Sequence, residues 1–267
     1  MKQDEAKKVC AYCGSEGVFT REHIWPRGII RRVPDYGARY FGKADKVLSS
    51  EHVIRDVCPN CNSGVLSELD EYGCSLFDNY FRQADTGKAQ VTFRYNYDLL
   101  LRWLMKISYN SSRSVGVDTE HLRRCVPYIV GAEARLGDVW LFAILVAPLN
   151  RIVDGEHKVV PPQGVRAARV GGADAVNLPF IVRLVGLNAF YFFVVITKEG
   201  EKADFALARR SFRGKQLARI YRSVLLRPCG LDTYDVWKGH LEDKDHLYRE
   251  HFARRQSETG ERGKGRA

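Results

Sequence analysis

Four cysteines stand in two matched pairs, Cys10-Ala-Tyr-Cys13 and Cys58-Pro-Asn-Cys61, and the stretch between them carries Glu22-His23 inside Thr-Arg-Glu-His-Ile-Trp-Pro, residues 20–26. A two-residue spacer lets both sulfurs of a pair reach one ion, so four such thiolates suit a closed tetrahedral zinc site. Gly14 behind the first pair, and Asn62-Ser63-Gly64 behind the second, tolerate the tight turns these knuckles need. Zinc would then pin the two ends of a long insertion, and the insertion displays a carboxylate beside an imidazole. Glu22 offers a hard oxygen ligand for a divalent cation, while a neutral His23 can take a proton from water near pH 7. On a regular strand these two side chains point to opposite faces; on a bulged strand or loop both can approach one cavity. Asn62, bonded directly to Cys61, could supply a second oxygen ligand from a position that zinc immobilises.

The order Cys-x-x-Cys, Glu-His-Ile-x-Pro, Cys-x-x-Cys-Asn-x-Gly resembles the HNH nucleases of the ββα-metal fold. Trp25-Pro26, with the run Cys-Asn-Ser-Gly-Val-Leu-Ser-Glu-Leu-Asp from Cys61 to Asp70, resembles a bacterial subgroup of them. The resemblance spans about the first 80 residues. It implies Cys10, Cys13, Cys58 and Cys61 as structural Zn²⁺ ligands, His23 as the general base, Glu22 as the acidic metal ligand and Asn62 as the closing ligand at the head of the last helix. It also implies a catalytic Mg²⁺ or Mn²⁺ at the scissile phosphate and a 5′-phosphate product. Glu22 stands where Asp is common. The middle position that names the family falls on His52, with Ser49 or Ser50 as the alternatives. Family modules joined to another domain serve in restriction or defence against foreign DNA, an analogy that says nothing specific about this chain.

The elements that must position these residues follow from hydrophobic patterning. Residues 18–24 and 53–57 read as strands, and 64–81 as a helix with Val65, Leu69, Tyr72, Leu76 and Tyr80 on its core face, which is ββα order. The polar stretch 84–90 marks a boundary between a nuclease module over 1–85 and a second domain over 91–256, with 257–267 a disordered basic tail. Beyond the boundary, 91–95 reads as a strand, 97–109 as an apolar helix in which Trp103 packs, and 138–146 as a strand. Residues 180–185 and 190–196 flank Gly186-Leu187-Asn188 as a hairpin would, and 150–178, rich in Pro and Gly, reads as mostly loop. The expected fold class is α+β, a zinc-stabilised ββα-metal module followed by an α+β domain with an antiparallel sheet.

The charge is uneven. Residues 1–90 hold 13 basic and 13 acidic side chains, so the whole net charge of +10 lies beyond them. Arg209, Arg210, Arg213, Lys215, Arg219, Arg222 and Arg227 cluster without an acid over 205–227. Leu217, Ile220, Tyr221, Val224 and Leu225 beside them predict an amphipathic helix whose charged face meets a polyphosphate. Arg27, Arg31 and Arg32 are placed to hold phosphates near His23; solvated arginines are the plainer reading of both groups. The charged N-terminus, the odd count of seven cysteines and the absence of an apolar run of membrane length predict a cytoplasmic, non-membrane protein. Cys74, Cys125 and Cys229 are then free thiols, and Asp118, Glu120, His121, His157 and His240 read as surface residues.

Two functions of different class follow. One is a metal-dependent endonuclease acting on nucleic acid, in the first instance double-stranded DNA, and open to control by self-association or an activating partner. The other is a zinc-stabilised nucleic-acid-binding module without hydrolytic activity. A hydrolase for some other phosphodiester is a distant third.

Overall fold

The computed structural model describes residues 8–33, 39–41, 46–48, 52–82, 90–134, 136–137, 139–146, 149–153, 156–160, 164–170, 178–202, 206, 224–226 and 231–239. Strand β1 (Thr20–His23) leads through Trp25-Pro26 into the single-turn helix α1 (Arg27–Ile30), followed by the hairpin β2 (Arg39–Phe41) and β3 (Lys46–Leu48). Strand β4 (Val53–Val57) returns antiparallel to β1 and feeds α2 (Pro59–Ser63) and α3 (Val65–Leu76). Then come β5 (Gln90–Asn96), α4 (Tyr97–Val115), α5 (Thr119–Arg123) and α6 (Val126–Ile129). The remaining strands are β6 (Val139–Val146), β7 (Leu149–Val153), β8 (Glu156–Val160), β9 (Val165–Val170), β10 (Phe180–Leu187), β11 (Phe190–Thr197), β12 (Val224–Leu226) and β13 (Leu231–Gly239). No helix among the described residues is long and apolar enough to cross a membrane.

A mixed sheet in the order β5-β13-β6-β11-β10-β9, with β12 also pairing β6, forms the floor. Its pairings are antiparallel except that of β13 with β6. Along β10 and β11, Ile181, Val185, Leu187, Phe190, Phe192, Val194 and Ile196 face the helices, while Phe180, Val182, Tyr191, Phe193 and Val195 lie on the other side and are also buried. Both strands are therefore apolar on both faces rather than alternating, as strands shut off from water on both sides must be, the buried Arg183 of β10 being the charged exception.

The helix α4 joins this sheet to the N-terminal elements. Asn96 caps its first turn by accepting from the Leu99 amide at 3.1 Å, and Gly116, at φ 71°, ends it in the left-handed region that glycine adopts freely. One hydrophobic cluster runs from Cys10, Trp25 and Leu66 through Trp103 and Ile107 to Phe192. The core thus crosses the polar stretch 84–90, of which 84–89 lie outside the described residues.

Helices α3 and α4 touch at a glycine. A Cβ on Gly73 would lie 2.1–2.5 Å from three atoms of the fully buried Trp103 indole. Gly73→Ala should therefore cost about 1–3 kcal/mol through overpacking, seen as a lowered thermal midpoint; an unchanged midpoint would show that the indole has room to move.

Several expectations are corrected here. The buried face of α3 is Leu66, Leu69, Gly73 and Leu76, while Val65, Tyr72 and Tyr80 are only partly buried. Past Leu76 the helix widens into a π turn over Phe77–Phe81, closed by the Arg82 amide on the Phe77 carbonyl at 2.9 Å. The extra residue in that turn sets Phe77 and Phe81, not Tyr80, against the sheet. The stretch 150–178 holds β7, β8 and β9, because its prolines and glycines lie between strands and not within them. The hairpin turns at Asn188-Ala189, with Asn188 at φ 50° and Gly186 and Leu187 still paired. Asn188 donates to the Phe81 and Arg82 carbonyls at 2.8 and 3.1 Å, so this turn also caps the π turn. Val224–Leu226 is a strand on β6, so Val224 and Leu225 do not lie on the expected amphipathic helix; the rest of 205–227 apart from Ala206 lies outside the described residues, as does the tail.

Candidate metal centre and active site

The four expected zinc ligands come together. One sulfur from each of Cys10, Cys13, Cys58 and Cys61 lies within 4.8 Å of the other three, with Cys13 Sγ and Cys58 Sγ 3.6 Å apart. A tetrahedron of ~2.3 Å Zn–S bonds needs sulfur separations of about 3.8 Å, so the donor set fits zinc. Local geometry explains the convergence. Gly14, at φ 73°, turns the first knuckle so that its amide reaches the Cys10 carbonyl at 2.9 Å. Cys58 caps α2, its sulfur accepting from the Cys61 amide at 3.5 Å, and its own amide points to Cys10 Sγ at 3.3 Å. The Ala11 amide donates to the Asp56 carbonyl at 2.8 Å, fastening the first knuckle to β4.

The thiols differ in acidity. A hydrogen bond with the Ser15 hydroxyl, aided by the backbone, lowers Cys13 to about 6. Burial first, then the crowding of Cys58 and Cys13, holds Cys61 well above the usual thiol range. At Cys58 the Cys61 amide pulls downward, but burial and the neighbouring sulfurs leave the thiol raised. Zinc must displace at least the protons of Cys58 and Cys61 near neutrality, so affinity should fall by about 100-fold or more per pH unit of acidification. Competition with a chromophoric chelator at two pH values checks this; pH-independent affinity would contradict it.

The same scaffold places the hydrolytic candidates. In the β1–β4 ladder Glu22 pairs with Ile54 and His23 with Val53, and an irregularity in register falls between Thr20 and Glu22. Beyond it the strand alternates: Glu22 is buried at 3% exposure and His23 is half-buried. His52 extends the ladder by one step, accepting from the Ile24 amide at 3.0 Å, which sets it beside the end of β1. Ser49 and Ser50 lie outside the described residues. Asn62, on α2, donates its amide nitrogen to Thr20 Oγ1 at 2.7 Å and to the Arg21 carbonyl at 3.3 Å. That pair of bonds ties the Asn62 amide nitrogen to β1.

Glu22 has partners that the sequence reading missed. Lys106 Nζ, with no exposure at all, lies 2.8 Å from Glu22 Oε1 and 2.6 Å from Asp70 Oδ1. Burial is the largest influence on Lys106 and would lower it, yet the Asp70 and Glu22 carboxylates leave it raised and charged. Asn110 donates to Glu22 Oε1 at 3.0 Å and to the His23 carbonyl at 3.2 Å, and accepts from Tyr12 at 2.6 Å. Arg113 also donates to Asn110, at 2.6 Å, pairs with Asp56, and covers the Tyr12 and Tyr109 rings at 5.3 and 4.6 Å. Lys106, Asn110 and Arg113 are spaced i, i+4, i+7, one stripe of α4 facing β1, β4, α3 and the first knuckle. Three polar residues recurring at helical spacing, i, i+4 and i+7, were the signal that could have revealed it.

The arginines divide. Arg27 and Arg31 are exposed at either end of α1, just past His23 and Trp25. Arg32 is instead committed to Asp78, Nε and Nη2 donating at 2.8 and 2.7 Å, and to the Gly28 carbonyl at 2.7 Å, so it ties α1 to the end of α3. Arg209, Arg210, Arg213, Lys215 and Arg219 lie outside the described residues. Asp118, read as a surface residue, has a side chain only 7% exposed: at φ 60° it turns into α5 and holds Arg183 and Arg169 at 3.3 and 3.4 Å. Burial lowers Arg183 to about 10 even so. Cys74 and Cys125 are free, and Cys229 lies outside the described residues.

Neither a family model, nor a curated protein, nor a solved structure matches this chain.

Proposed function

We propose that the N-terminal module is a metal-dependent endonuclease of the HNH type that hydrolyses phosphodiester bonds in double-stranded DNA. The observation that carries this reading is the joint placement of His23 and Asn62. Four cysteines suited to zinc tie the β1–β4 pair to α2, and Asn62, near the end of that helix, is bonded back to the strand that carries His23. His23 takes the proton of the attacking water, and Asn62 would hold the divalent cation; Glu22, bonded to Lys106 and Asn110 on the buried face of β1, does not fit the second ligand's place. Mg²⁺ or Mn²⁺ held there would supply Lewis-acid polarisation of the scissile phosphate. The P–O3′ bond breaks, leaving a 5′ phosphate. Arg27 and Arg31, exposed beside His23, hold the flanking phosphates.

His23→Ala removes the proton acceptor and leaves the scaffold. Cleavage should fall by about 10²–10⁴-fold with zinc content unchanged; cleavage at the native rate would remove His23 from the mechanism. The alternative, a zinc-stabilised nucleic-acid-binding module without hydrolytic activity, is favoured by one observation. Glu22 is 3% exposed and faces an ammonium 2.8 Å away, which offsets the charge a cation would need. That reading predicts retention of DNA with no metal-dependent nicking.

A further inference from the structure

The polar stripe of α4 lies outside the resemblance, in the half of the chain for which the sequence offered no chemistry. We propose that Asn110 on this stripe is a positioning residue for the His23 site: its amide nitrogen clamps the Glu22 carboxylate and the His23 carbonyl together. The inference rests on the nuclease reading for its catalytic consequence, and on geometry alone for its structural one.

Asn110 has no exposure, and each polar atom of its side chain is used. Nδ2 donates to Glu22 Oε1 at 3.0 Å and to the His23 carbonyl at 3.2 Å; Oδ1 accepts from Tyr12 Oη and Arg113 Nη2, both at 2.6 Å. The two β1 contacts are to adjacent residues, one through a side chain and one through the backbone, so they fix both the twist and the height of the strand at His23. Lys106 completes the hold by drawing Glu22 into the core from one turn earlier in the helix. With Glu22 committed inward, strand alternation leaves the His23 ring on the half-buried face. An amide fits the position because it donates to β1 and accepts from the first knuckle at once. A carboxylate would repel Glu22, and an apolar residue would take one bond from each of four partners.

The inference gives the second half of the chain a role in the site. The Arg183-Asp118 cluster ties its sheet to α5, and Ser111, next to Asn110, accepts from Arg183 at 3.4 Å. The residue that sets β1 therefore sits on a helix whose opposite side is fixed by the sheet.

The test uses zinc-loaded full-length protein carrying Asn110→Ala or, separately, Tyr12→Phe. Tyr12→Phe removes one partner of Oδ1 and leaves both bonds to β1. At a fixed pH, the ring resonances of His23, identified by their loss in His23→Ala, are followed by NMR together with those of His121 on α5. Asn110→Ala should shift the His23 signals and leave those of His121 in place, while Tyr12→Phe leaves both. Amide exchange of Ile24, at the end of β1, should quicken at least tenfold in Asn110→Ala alone. A His23 signal unmoved by Asn110→Ala, or moved equally by Tyr12→Phe, overturns the proposal whether or not the protein cuts DNA. Where the native protein does cut, Asn110→Ala should lower kcat by about 100-fold with KM little changed. Absence of cleavage by the native protein is the failure of the nuclease reading alone, and the NMR outcome still decides the role of Asn110.

Discussion

Removal of zinc, or replacement of Cys58 by alanine, is expected to unfold the N-terminal module and to lower the thermal stability of the whole chain. The first knuckle, β1, β4 and α2 are short, and each depends on the four-cysteine centre for its end points. Cys58 is both a ligand and the cap of α2, so its loss removes a metal bond and frees the helix start together. A structural zinc site contributes about 10–16 kcal/mol of apparent binding energy in small domains near pH 7, against a total stability of about 5–15 kcal/mol for an ordinary domain. The effect should spread beyond the module, because Cys10, Tyr12 and Trp25 belong to the same core cluster as Trp103 and Phe192. Circular dichroism melts with and without a zinc chelator, alongside measured zinc content, check this. A zinc-free protein that melts like the loaded one would contradict it.

The second large effect is expected at Lys106. Its ammonium is fully buried between Glu22, with a side chain 4% exposed, and Asp70, 25% exposed. Lys106→Met leaves two carboxylates facing each other around an apolar side chain, at a cost of about 3–5 kcal/mol. Glu22→Gln should cost less, since the Lys106–Asp70 pair survives it. The loss in Lys106→Met should also depend on pH. Burial already raises Asp70 above the usual carboxylate range, and removing the ammonium takes away the main influence opposing that rise. A carboxyl whose folded-state pKa is raised costs stability above that pKa, and the cost disappears as pH falls through it. Lys106→Met should therefore lie closer to the native protein at pH 5 than at pH 8. In the native protein the raised Lys106 contributes stability that is present below its ordinary pKa and is lost as pH rises through the folded-state value. Urea midpoints at the two pH values measure the difference. A variant as stable as the native chain, or one more impaired at pH 5, would contradict the account.

What could be read from the chain was local. The two knuckles needed only the spacing of their cysteines, and β4 ends where the run Val53–Val57 meets Cys58. The helix beginning at Tyr97 was marked by Leu100, Leu101, Leu104 and Ile107, although it runs on to Val115 behind polar residues that turned out to be buried. What could not be read depended on contacts distant in sequence. Lys106 looks out of place until Glu22 and Asp70, 84 and 36 residues away, are set beside it, and Asn110 until Glu22, 88 residues away, is set beside it. Asp118 resembles any polar loop residue until Arg183 arrives from β10. The face of α3 was displaced because Gly73 admits Trp103 and the π turn adds a residue, neither of which shifts the hydrophobic pattern itself. Strands β7 to β9 were hidden by the turn residues between them, which dominate the composition of 150–178 without entering the ladders.

The proposed activity is divalent-cation-dependent cleavage of DNA that leaves a 5′ phosphate. The most direct measurement incubates zinc-loaded native protein and His23→Ala with supercoiled plasmid, with and without added Mg²⁺ or Mn²⁺, in buffer free of chelator. The products are then treated with DNA ligase, which reseals a nick only where a 5′ phosphate meets a 3′ hydroxyl. Metal-dependent nicking by the native protein, resealing by ligase, and no nicking by His23→Ala are the expected results. Plasmid retained but never cut under any of these conditions, or nicking that His23→Ala performs equally well, would contradict the proposal.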